Sequence, residues 1–208
     1  MRIGIIGSGN VGGTLGQRWS KAGHQVIFGS RNPSSDEMRQ LVAHSGGRAA
    51  SFQDAAAESE LLLLATPWPA TQSVVTGLGD LNGKVVIDAT NPLLPDLSGL
   101  EIGTSTSAGE QVAGWTPGAR VVKALNTVGY NIMADPAFGA DRPVMFYCGD
   151  DSAAKKTVAG LVSELGFDAV DAGPLTQARL LEPFALLWIS LAYAQGQGRE
   201  IAFKFMRR

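Results

Sequence analysis

The chain is poor in cysteine and histidine, and each shortage narrows its chemistry. Cys148 is the single cysteine, which excludes an intrachain disulfide and a cysteine-based metal site and fits a reducing cytoplasm. The two histidines are His24, which precedes a predicted strand, and His44, which closes a predicted helix. We place both on the surface, so neither histidine catalysis nor a bound metal is expected.

Charge and long apolar runs are also scarce. Charged residues make up 17% of the chain and the net charge is −2, which gives no general attraction to nucleic acids or anionic membranes. The longest apolar stretch, residues 184–194, is far shorter than the about 20 residues that span a bilayer. The N-terminus lacks a signal-peptide pattern. We therefore expect a soluble cytoplasmic protein whose partner is a small molecule.

What the sequence does contain is a glycine-rich turn after an apolar run and before a helical pattern. The residues of this turn are Gly7, Ser8, Gly9, Asn10, Val11 and Gly12. In this setting the first glycine allows a tight turn, the second lets the backbone approach a pyrophosphate, and the third lets the helix pack closely on the sheet. The helix N-terminus then favours the phosphates. The turn predicts a dinucleotide site.

Apolar runs alternate with helical patterns along the chain. Strands are predicted at residues 2–6, 25–29, 61–65, 84–88, 120–124, 144–148 and 167–171. Helices are predicted at residues 11–22, 36–45, 52–57, 68–78 and 152–165, with a short helix around Glu110 that the segment 103–107 caps. This alternation predicts an α/β fold with a doubly wound, mostly parallel Rossmann sheet.

The last part of the chain breaks the alternation. Residues 175–195 form a helical pattern that is apolar on most sides, with Leu180, Phe184 and Leu187 in helical spacing, so we expect this helix to be buried. Packing on its own sheet and burial in a homodimer interface explain the pattern equally well. We divide the chain into a dinucleotide-binding Rossmann domain, residues 1–174, and a C-terminal helical segment and tail, residues 175–208.

The end of the second strand indicates which dinucleotide binds. An NAD site usually carries Asp or Glu there, to accept hydrogen bonds from the ribose 2′-hydroxyl. This chain has Ser30, Arg31 and Asn32 instead, with no carboxylate to repel a 2′-phosphate. A planar guanidinium suits phosphate recognition. The segment therefore favours NADP(H) over NAD(H).

The carboxyl edge of the sheet limits the reaction. Reduction of a ketone requires a proton donor near the nicotinamide, and Lys123 or Tyr130 would have to provide it. Hydride transfer to a flavin-like ring demands less, because the ring delocalises the charge. Three hypotheses stay open: a hydride-transfer enzyme with a ring acceptor, a dehydrogenase of small carbonyl compounds that uses Lys123 as acid, and a non-catalytic NADP(H)-sensing module.

Together these residues resemble the F420-dependent NADP oxidoreductase family, whose Rossmann domain is shared by the cytosolic domain of the STEAP metalloreductases. The resemblance covers nearly the whole chain. It rests on the segments 7–12, 29–33, 66–68, 122–126, 148–151 and 171–175. It implies hydride exchange between NADPH and a deazaflavin (F420) or a flavin. The archaeal F420-reducing pattern has histidine where this chain has Asn126, and Asn126 is similar to the STEAP pattern.

The resemblance and the carboxyl-edge rule together give a set of expected site residues. Besides the glycine turn and Ser30 to Asn32, the cofactor-binding residues are expected to be Ala65, Thr66, Pro67, Asn91, Lys123 and Asn126. The hydride acceptor is expected to lie against Asn126, Thr127, Pro174 and Leu175. No single residue is assigned a catalytic role.

Overall fold

The computed structural model describes residues 1–208 and shows a single eight-stranded sheet with helices on both faces. The strands are β1 Arg2–Ile6, β2 Gln25–Gly29, β3 Arg48–Ala50, β4 Leu61–Leu64, β5 Val85–Asp88, β6 Arg120–Lys123, β7 Val144–Gly149 and β8 Asp168–Asp171. The helices are α1 Asn10–Lys21, α2 Asp36–Ser45, α3 Phe52–Glu58, α4 Trp68–Thr76, α5 Ala108–Trp115, α6 Tyr130–Ala134, α7 Ser152–Glu164 and α8 Ala178–Ile189.

The strand order is β3-β2-β1-β4-β5-β6-β7-β8, and every pairing is parallel except that of β6 with β7. This confirms the predicted doubly wound, mostly parallel Rossmann sheet. The chain order reverses between β1 and β4, so a crevice opens beyond the carboxyl ends of these two strands. No helix combines the length and the hydropathy that crossing a bilayer would need.

The core forms because strand side chains alternate between two faces that helices cover. On β1, Ile3 and Ile5 belong to one apolar cluster and Ile6 to the other. β4 divides in the same way, with Leu63 on one face and Leu64 on the other. Burial on both faces explains why these strands are almost continuously apolar in sequence.

The C-terminal helix differs from the prediction in shape and in burial. A 3-10 turn over Leu175–Gln177 leads into α8, and a π-helical turn over Ser190–Ala194 follows it. One side of α8 packs on the protein, whereas Leu180 and Leu187 are 65% and 48% exposed. Packing on its own sheet therefore does not by itself bury this helix, because only one stripe of it meets the sheet and α5. Burial of the other side in a homodimer stays a prediction.

The residues after α8 return to the protein. The indole of Trp188 donates to the carbonyl of Ile201 at 2.8 Å, and the amide of Val144 at the start of β7 donates to the carbonyl of Phe203 at 2.8 Å. Phe203 also packs on Phe184 of α8, with ring centroids 4.6 Å apart. These contacts tie the tail to both β7 and α8.

Candidate active site

The glycine turn has the geometry of a phosphate cradle. Gly7 has φ 105°, a conformation that disfavours side chains, and its Cβ position would lie 2.5 Å from the carbonyl oxygen of Ala65. A Cβ on Gly12 would lie 1.9 Å from the carbonyl oxygen of Gly7. Gly9 caps α1 without any side-chain hydrogen bond, and a Cβ there would meet nothing within 4 Å. The first N–H groups of α1 therefore face open space.

This open space is a cleft of about 870 Å³ at the carboxyl edge of the sheet. Its walls combine the glycine turn, the end of β2, the segment after β4 and the loop after β5. Of the expected site residues, the cleft is lined by Gly7, Ser8, Gly9, Asn10, Val11, Ser30, Arg31, Ala65, Thr66, Pro67 and Asn91. Phosphate-binding and nicotinamide-end candidates from four separate chain segments are thus brought together.

Arg31 lies at one end of this cleft and is exposed to solvent. Its guanidinium makes no ion pair or hydrogen bond with the protein. Ser30 accepts a hydrogen bond from the amide of Asn32 at 3.1 Å, which shapes the turn after β2. Arg31 is the only titratable residue among the 24 that line the cleft. This end is therefore a cationic pocket with no opposing carboxylate.

Lys123 lies elsewhere than the sequence suggested. Its side chain is fully buried, and its ammonium is 2.9 Å from Asp88 Oδ2 and 2.9 Å from Glu182 Oε1. The ammonium also donates to the carbonyl oxygen of Thr90. The expectation that Lys123 contacts the cofactor is therefore wrong in this structure, because all three of its donors are used inside the protein.

The two carboxylates around Lys123 are themselves fully hydrogen-bonded. Asp88 Oδ1 accepts from the amide and the hydroxyl of Thr90 at 2.9 and 2.7 Å. Glu182 accepts from the first amides of α5, those of Ala108 at 3.0 Å and Gly109 at 3.1 Å. The positive end of α5 compensates the second negative charge. The result is a closed ionic network that links β5, β6, α5 and α8.

The charges also keep Lys123 protonated. Burial alone opposes the charged form, but Asp88 and Glu182 outweigh it and raise the pKa of Lys123 above its ordinary 10.5. A raised pKa means that the stability from this charge is fully present below the unfolded value. It is lost only as the pH rises through the folded value. Lys123 thus stays protonated across the neutral range.

Asn91 and Asn126 form a reciprocal amide pair next to this network. Asn91 Nδ2 donates to the carbonyl oxygen of Asn126 at 2.8 Å, and Asn126 Nδ2 donates to Asn91 Oδ1 at 3.0 Å and to the carbonyl oxygen of Leu181 at 3.3 Å. Asn126 is 5% exposed, and its Oδ1 has no hydrogen-bond partner. Asn91 therefore presents the pair to the cleft, and Asn126 lies behind it.

None of the residues expected to contact the hydride acceptor lines the cleft: Asn126 lies behind Asn91, and Thr127, Pro174 and Leu175 are also outside the lining. Thr127 is buried and faces Met145. β7 runs antiparallel to β6, with Cys148 opposite Lys123 and Gly149 opposite Val122, so the carboxyl end of β7 lies beside the last residues of β6. Pro174 follows β8, and Leu175 is buried against Cys148. Neither Pro174 nor Leu175 lines the cleft, and contact of the hydride acceptor with these two residues stays a prediction.

Two features of the site were not predicted. The Asp88, Lys123 and Glu182 network includes a glutamate that the apolar pattern of the last helix concealed. Trp68, at the start of α4, lines the cleft and stacks on Trp115 of α5, with ring centroids 5.5 Å apart. The Thr66-Pro67-Trp68 segment was a usable signal for the first ring, but nothing local in the sequence pointed to its partner.

Cys148 gives a direct check on this packing. Its thiol is buried on β7, and burial raises the pKa of the thiol to about 12. We expect no alkylation of the folded protein by iodoacetamide near pH 8, and complete alkylation in denaturant, because the thiolate is the reactive species. Mass spectrometry of the two samples measures this difference. Rapid modification of the folded protein would contradict the placement of β7.

The sheet order, the glycine turn at its switch point and the cationic end of the cleft define a Rossmann-type dinucleotide-binding protein. The family profile described as NADP oxidoreductase, coenzyme F420-dependent, matches residues 2–92. An F420-dependent NADP reductase of Methanothermobacter thermautotrophicus is 30% identical over 210 residues, which cover 92% of this chain and 89% of that protein. The chain therefore belongs to the F420-dependent NADP oxidoreductase family and is an NADP-dependent oxidoreductase.

Two further comparisons agree with this family. A crystal structure from Arthrobacter sp. FB24, which bears the name of an F420-dependent NADP reductase, has a TM-score of 0.89 at 35% identity and covers 99% of both chains. The metalloreductase STEAP3 of Rattus norvegicus is 31% identical over 187 residues. That match covers 89% of this chain but only 36% of STEAP3, so this chain spans about a third of the larger protein.

Proposed function

We propose that this protein transfers hydride between NADP(H) and a deazaflavin such as F420, or a flavin. The observation that carries the proposal is the composition of the cleft, in which Arg31 is the only titratable lining residue. Arg31 lies at the end assigned to the 2′-phosphate, so the nicotinamide end holds no acid or base. An acceptor that delocalises the incoming charge over its rings suits such a site.

The alternative of carbonyl reduction lacks a proton donor. Lys123 is fully buried, and its ammonium is paired with Asp88 and Glu182. Tyr130 is outside the cleft, and the guanidinium of Arg199 covers its ring at 4.5 Å from the centroid. Reduction of a ketone without a positioned proton donor would forgo a contribution of roughly 10² to 10⁴ in rate. Neither residue supports this reaction in the observed arrangement.

The chain's own residues fit NADP(H). The space over Gly9 and the free N–H groups of α1 suit a pyrophosphate. Ser30 and Arg31 at one end suit the 2′-phosphate, which leaves Thr66 and Asn91 for the nicotinamide end. When bound, NADP(H) supplies the hydride. The protein's part is to hold the two rings in register and to exclude water between them.

The names of the relatives decide which acceptors to test. The Methanothermobacter relative is named for F420, and STEAP3 is named as a metalloreductase. The purified protein should be incubated with NADPH and, in separate reactions, with F420, FMN, FAD or a ferric chelate. Loss of the near-ultraviolet absorbance of the reduced nicotinamide measures turnover. We expect oxidation with F420 or a flavin.

The same experiment separates the alternatives. Tight NADPH binding without turnover with any acceptor would favour a sensing module and contradict the proposed enzyme. Turnover with small aldehydes or ketones, and none with ring acceptors, would favour the carbonyl dehydrogenase. A Lys123→Ala variant that folds, binds NADPH and still oxidises it with a ring acceptor would support hydride transfer without lysine acid catalysis.

Replacing Arg31 tests the choice of nucleotide. We expect Arg31→Ala to weaken NADPH binding by about 1.5–3 kcal/mol, because a hydrogen-bonded charge on the 2′-phosphate is lost, and to leave NADH binding unchanged. Isothermal titration with both nucleotides measures this. Arg39→Ala is the matched control, because Arg39 is an exposed arginine nearby that already pairs with Asp36. Equal losses for NADPH and NADH would refute the assignment.

We also propose that two copies associate through the exposed apolar side of α8. Leu180, Leu187 and Tyr193 are each about half exposed or more, at 65%, 48% and 56%. A dimer would remove this surface from water. Light scattering of the wild type and of a Leu180→Glu, Leu187→Glu variant tests the proposal. We expect a dimer that the double substitution converts to monomer, and a monomeric wild type would disprove it.

A further inference from the structure

Three separated chain segments meet at the inner wall of the nicotinamide end. They run through residues 88–91 after β5, residues 123–126 after β6, and residues 181–182 of α8. Each segment contributes one charged residue to the buried ionic network and one polar group to the amide pair beside it. The charged residues are Asp88, Lys123 and Glu182, and the polar groups belong to Asn91, Asn126 and Leu181.

The ionic network and the amide pair are joined by short stretches of backbone. Lys123 donates to the carbonyl oxygen of Thr90, the residue directly before Asn91. Glu182 directly follows Leu181, whose carbonyl oxygen accepts from Asn126. A shift of the ionic network therefore moves the oxygen atoms of Asn91 and Leu181 that accept hydrogen bonds from Asn126.

The backbone between Lys123 and Asn126 is held in an uncommon conformation. Leu125 has φ 61°, in the left-handed region that non-glycine residues seldom adopt. This turn directs Asn126 toward Asn91 and Leu181. Such a conformation persists only where the surroundings enforce it, and it is common at functional sites. The ionic network fixes the residue two positions earlier and so anchors the turn.

The orientation of the Asn126 amide is determined by its neighbours. Turning the amide over would place Oδ1 against two acceptors, Asn91 Oδ1 and the carbonyl oxygen of Leu181. Oδ1 is therefore the atom that remains without a partner, and it is buried. Asn91 is the member of the pair that lines the cleft, and it uses only one N–H and one oxygen lone pair of its amide within the pair. A second N–H and a second lone pair are left for the carboxamide of a nicotinamide. The pair is thus suited to hold an amide-bearing ring at this end of the cleft.

We propose that Glu182 is a positioning residue for the nicotinamide: through Lys123 and Asp88 it holds Asn126 and Asn91 in the orientation that orders the ring. Glu182 touches neither cleft nor cofactor and acts only through these neighbours. This inference rests on the proposed binding of NADP(H). Its consequence is specific, because the adenosine end of the cleft, at Ser30 and Arg31, does not contact the network.

The test compares the whole nucleotide with its adenosine half. Wild type, Glu182→Gln and Glu110→Gln are each titrated with NADPH and with adenosine 2′,5′-bisphosphate, and nicotinamide fluorescence is recorded. Glu110 is the matched control, because it also joins α5 to α8, through Arg179 at 2.6 Å, but does not touch Lys123. Thermal melting of each protein establishes that it is folded.

We expect Glu182→Gln to lower the affinity for NADPH by about tenfold relative to the bisphosphate, and to reduce the fluorescence change of the bound nicotinamide. Affinity for the bisphosphate should be the same in all three proteins, and Glu110→Gln should behave as the wild type. A general loss of packing would instead weaken both ligands. An unchanged ratio in Glu182→Gln, or equal changes in both variants, would overturn the inference.

Two other outcomes are also decisive. If Glu182→Gln does not fold, Asn126→Ala reaches the same amide pair without altering the network and must show the same selective loss; an unchanged ratio there overturns the inference. If the wild type binds no NADPH, the proposed function fails and the inference fails with it. If the wild type binds NADPH and both Glu182→Gln and Asn126→Ala bind it as the wild type does, the inference is overturned while the proposed function stands.

Discussion

Gly9→Ala is expected to weaken dinucleotide binding strongly while leaving the fold intact. A Cβ at this position meets no protein atom within 4 Å, and the backbone of Gly9 is extended, so the free protein accommodates the methyl group without strain. The same methyl group projects into the space in front of α1, where a pyrophosphate must approach the backbone closely. We expect NADPH affinity to fall by at least about tenfold, or 1.4 kcal/mol, with the melting temperature within about 2 °C.

Gly12→Ala should have the opposite character. Its Cβ would lie 1.9 Å from the carbonyl oxygen of Gly7, and backbone cannot yield as a flexible side chain does. We expect a loss of about 3 kcal/mol in the free energy of unfolding, at the upper end for an overpacked site. Chemical denaturation measures this loss.

Gly160→Ala completes the series as a remote control. Gly160 is an exposed glycine within α7, and a Cβ there also meets nothing within 4 Å. Alanine is the better helix former, so we expect a slight gain in stability and no change in NADPH binding. Equal stability of the Gly12 variant and the wild type, or normal NADPH binding by the Gly9 variant, would contradict the interpretation of the glycine turn as a phosphate cradle.

Lys123→Met is expected to cost about 3–5 kcal/mol of stability, because it leaves two carboxylates buried without their cation. Urea denaturation at neutral pH measures the loss. Lys155→Met is the matched control: Lys155 also lies 2.9 Å from a carboxylate, that of Asp171, but both side chains reach solvent. An exposed pair of this kind contributes about 1 kcal/mol or less.

A fully neutral variant distinguishes the ion pair from the side-chain volume. Combining Lys123→Met with Asp88→Asn and Glu182→Gln removes every charge of the network at nearly constant size. Since replacing a whole buried ionic cluster is often far less costly than removing one member, we expect the triple variant to be more stable than Lys123→Met alone. Equal or lower stability of the triple variant would show that the packing of Lys123, and not its charge, is what matters.

Most of the fold was predictable because the strands are apolar on both faces and the helices between them are amphipathic. The predicted strands agree with the structure to within one residue at each end, from β1 at Arg2–Ile6 to β8 at Asp168–Asp171. β3 and α6 were missed, since three and five residues carry no detectable period. Ser107 caps α5 as expected from the serine and threonine run before that helix.

The direction of β7 could not be predicted from the sequence, for a physical reason. Alternation of apolar residues reports which faces of a strand are buried, and it is the same whichever way the strand runs. The long connection from β6 to β7, which includes α6, permits either direction. The carboxyl-edge rule gave no sign of this reversal, and neither Pro174 nor Leu175 lines the cleft.

The sequence also showed where the charged residues of the network lie along the chain, but not which of them pair. Asp88 and Lys123 are the last residues of the neighbouring strands β5 and β6, so their proximity was predictable. Glu182 lies between Leu181 and Pro183 in an apolar helix, and a lone carboxylate in such a pattern is a signal of a buried partner. That signal was available. What sequence alone lacked was the docking of α8 on β6, which decides that Lys123 faces inward rather than into the cleft.

The three segments that carry Asp88, Lys123 and Glu182 lie far apart along the chain, so they leave the ribosome at different times during synthesis. A domain generally folds as a unit, and its amino-terminal residues leave the ribosome first. The glycine turn, Asp88 and Lys123 emerge first, while Glu182 is 59 residues beyond Lys123 and emerges much later. Until then the nascent Lys123 has one carboxylate partner and the start of α5 has none. The buried ionic network behind the cleft is therefore completed only when α8 docks, after the glycine turn, Asp88 and Lys123 have already left the ribosome.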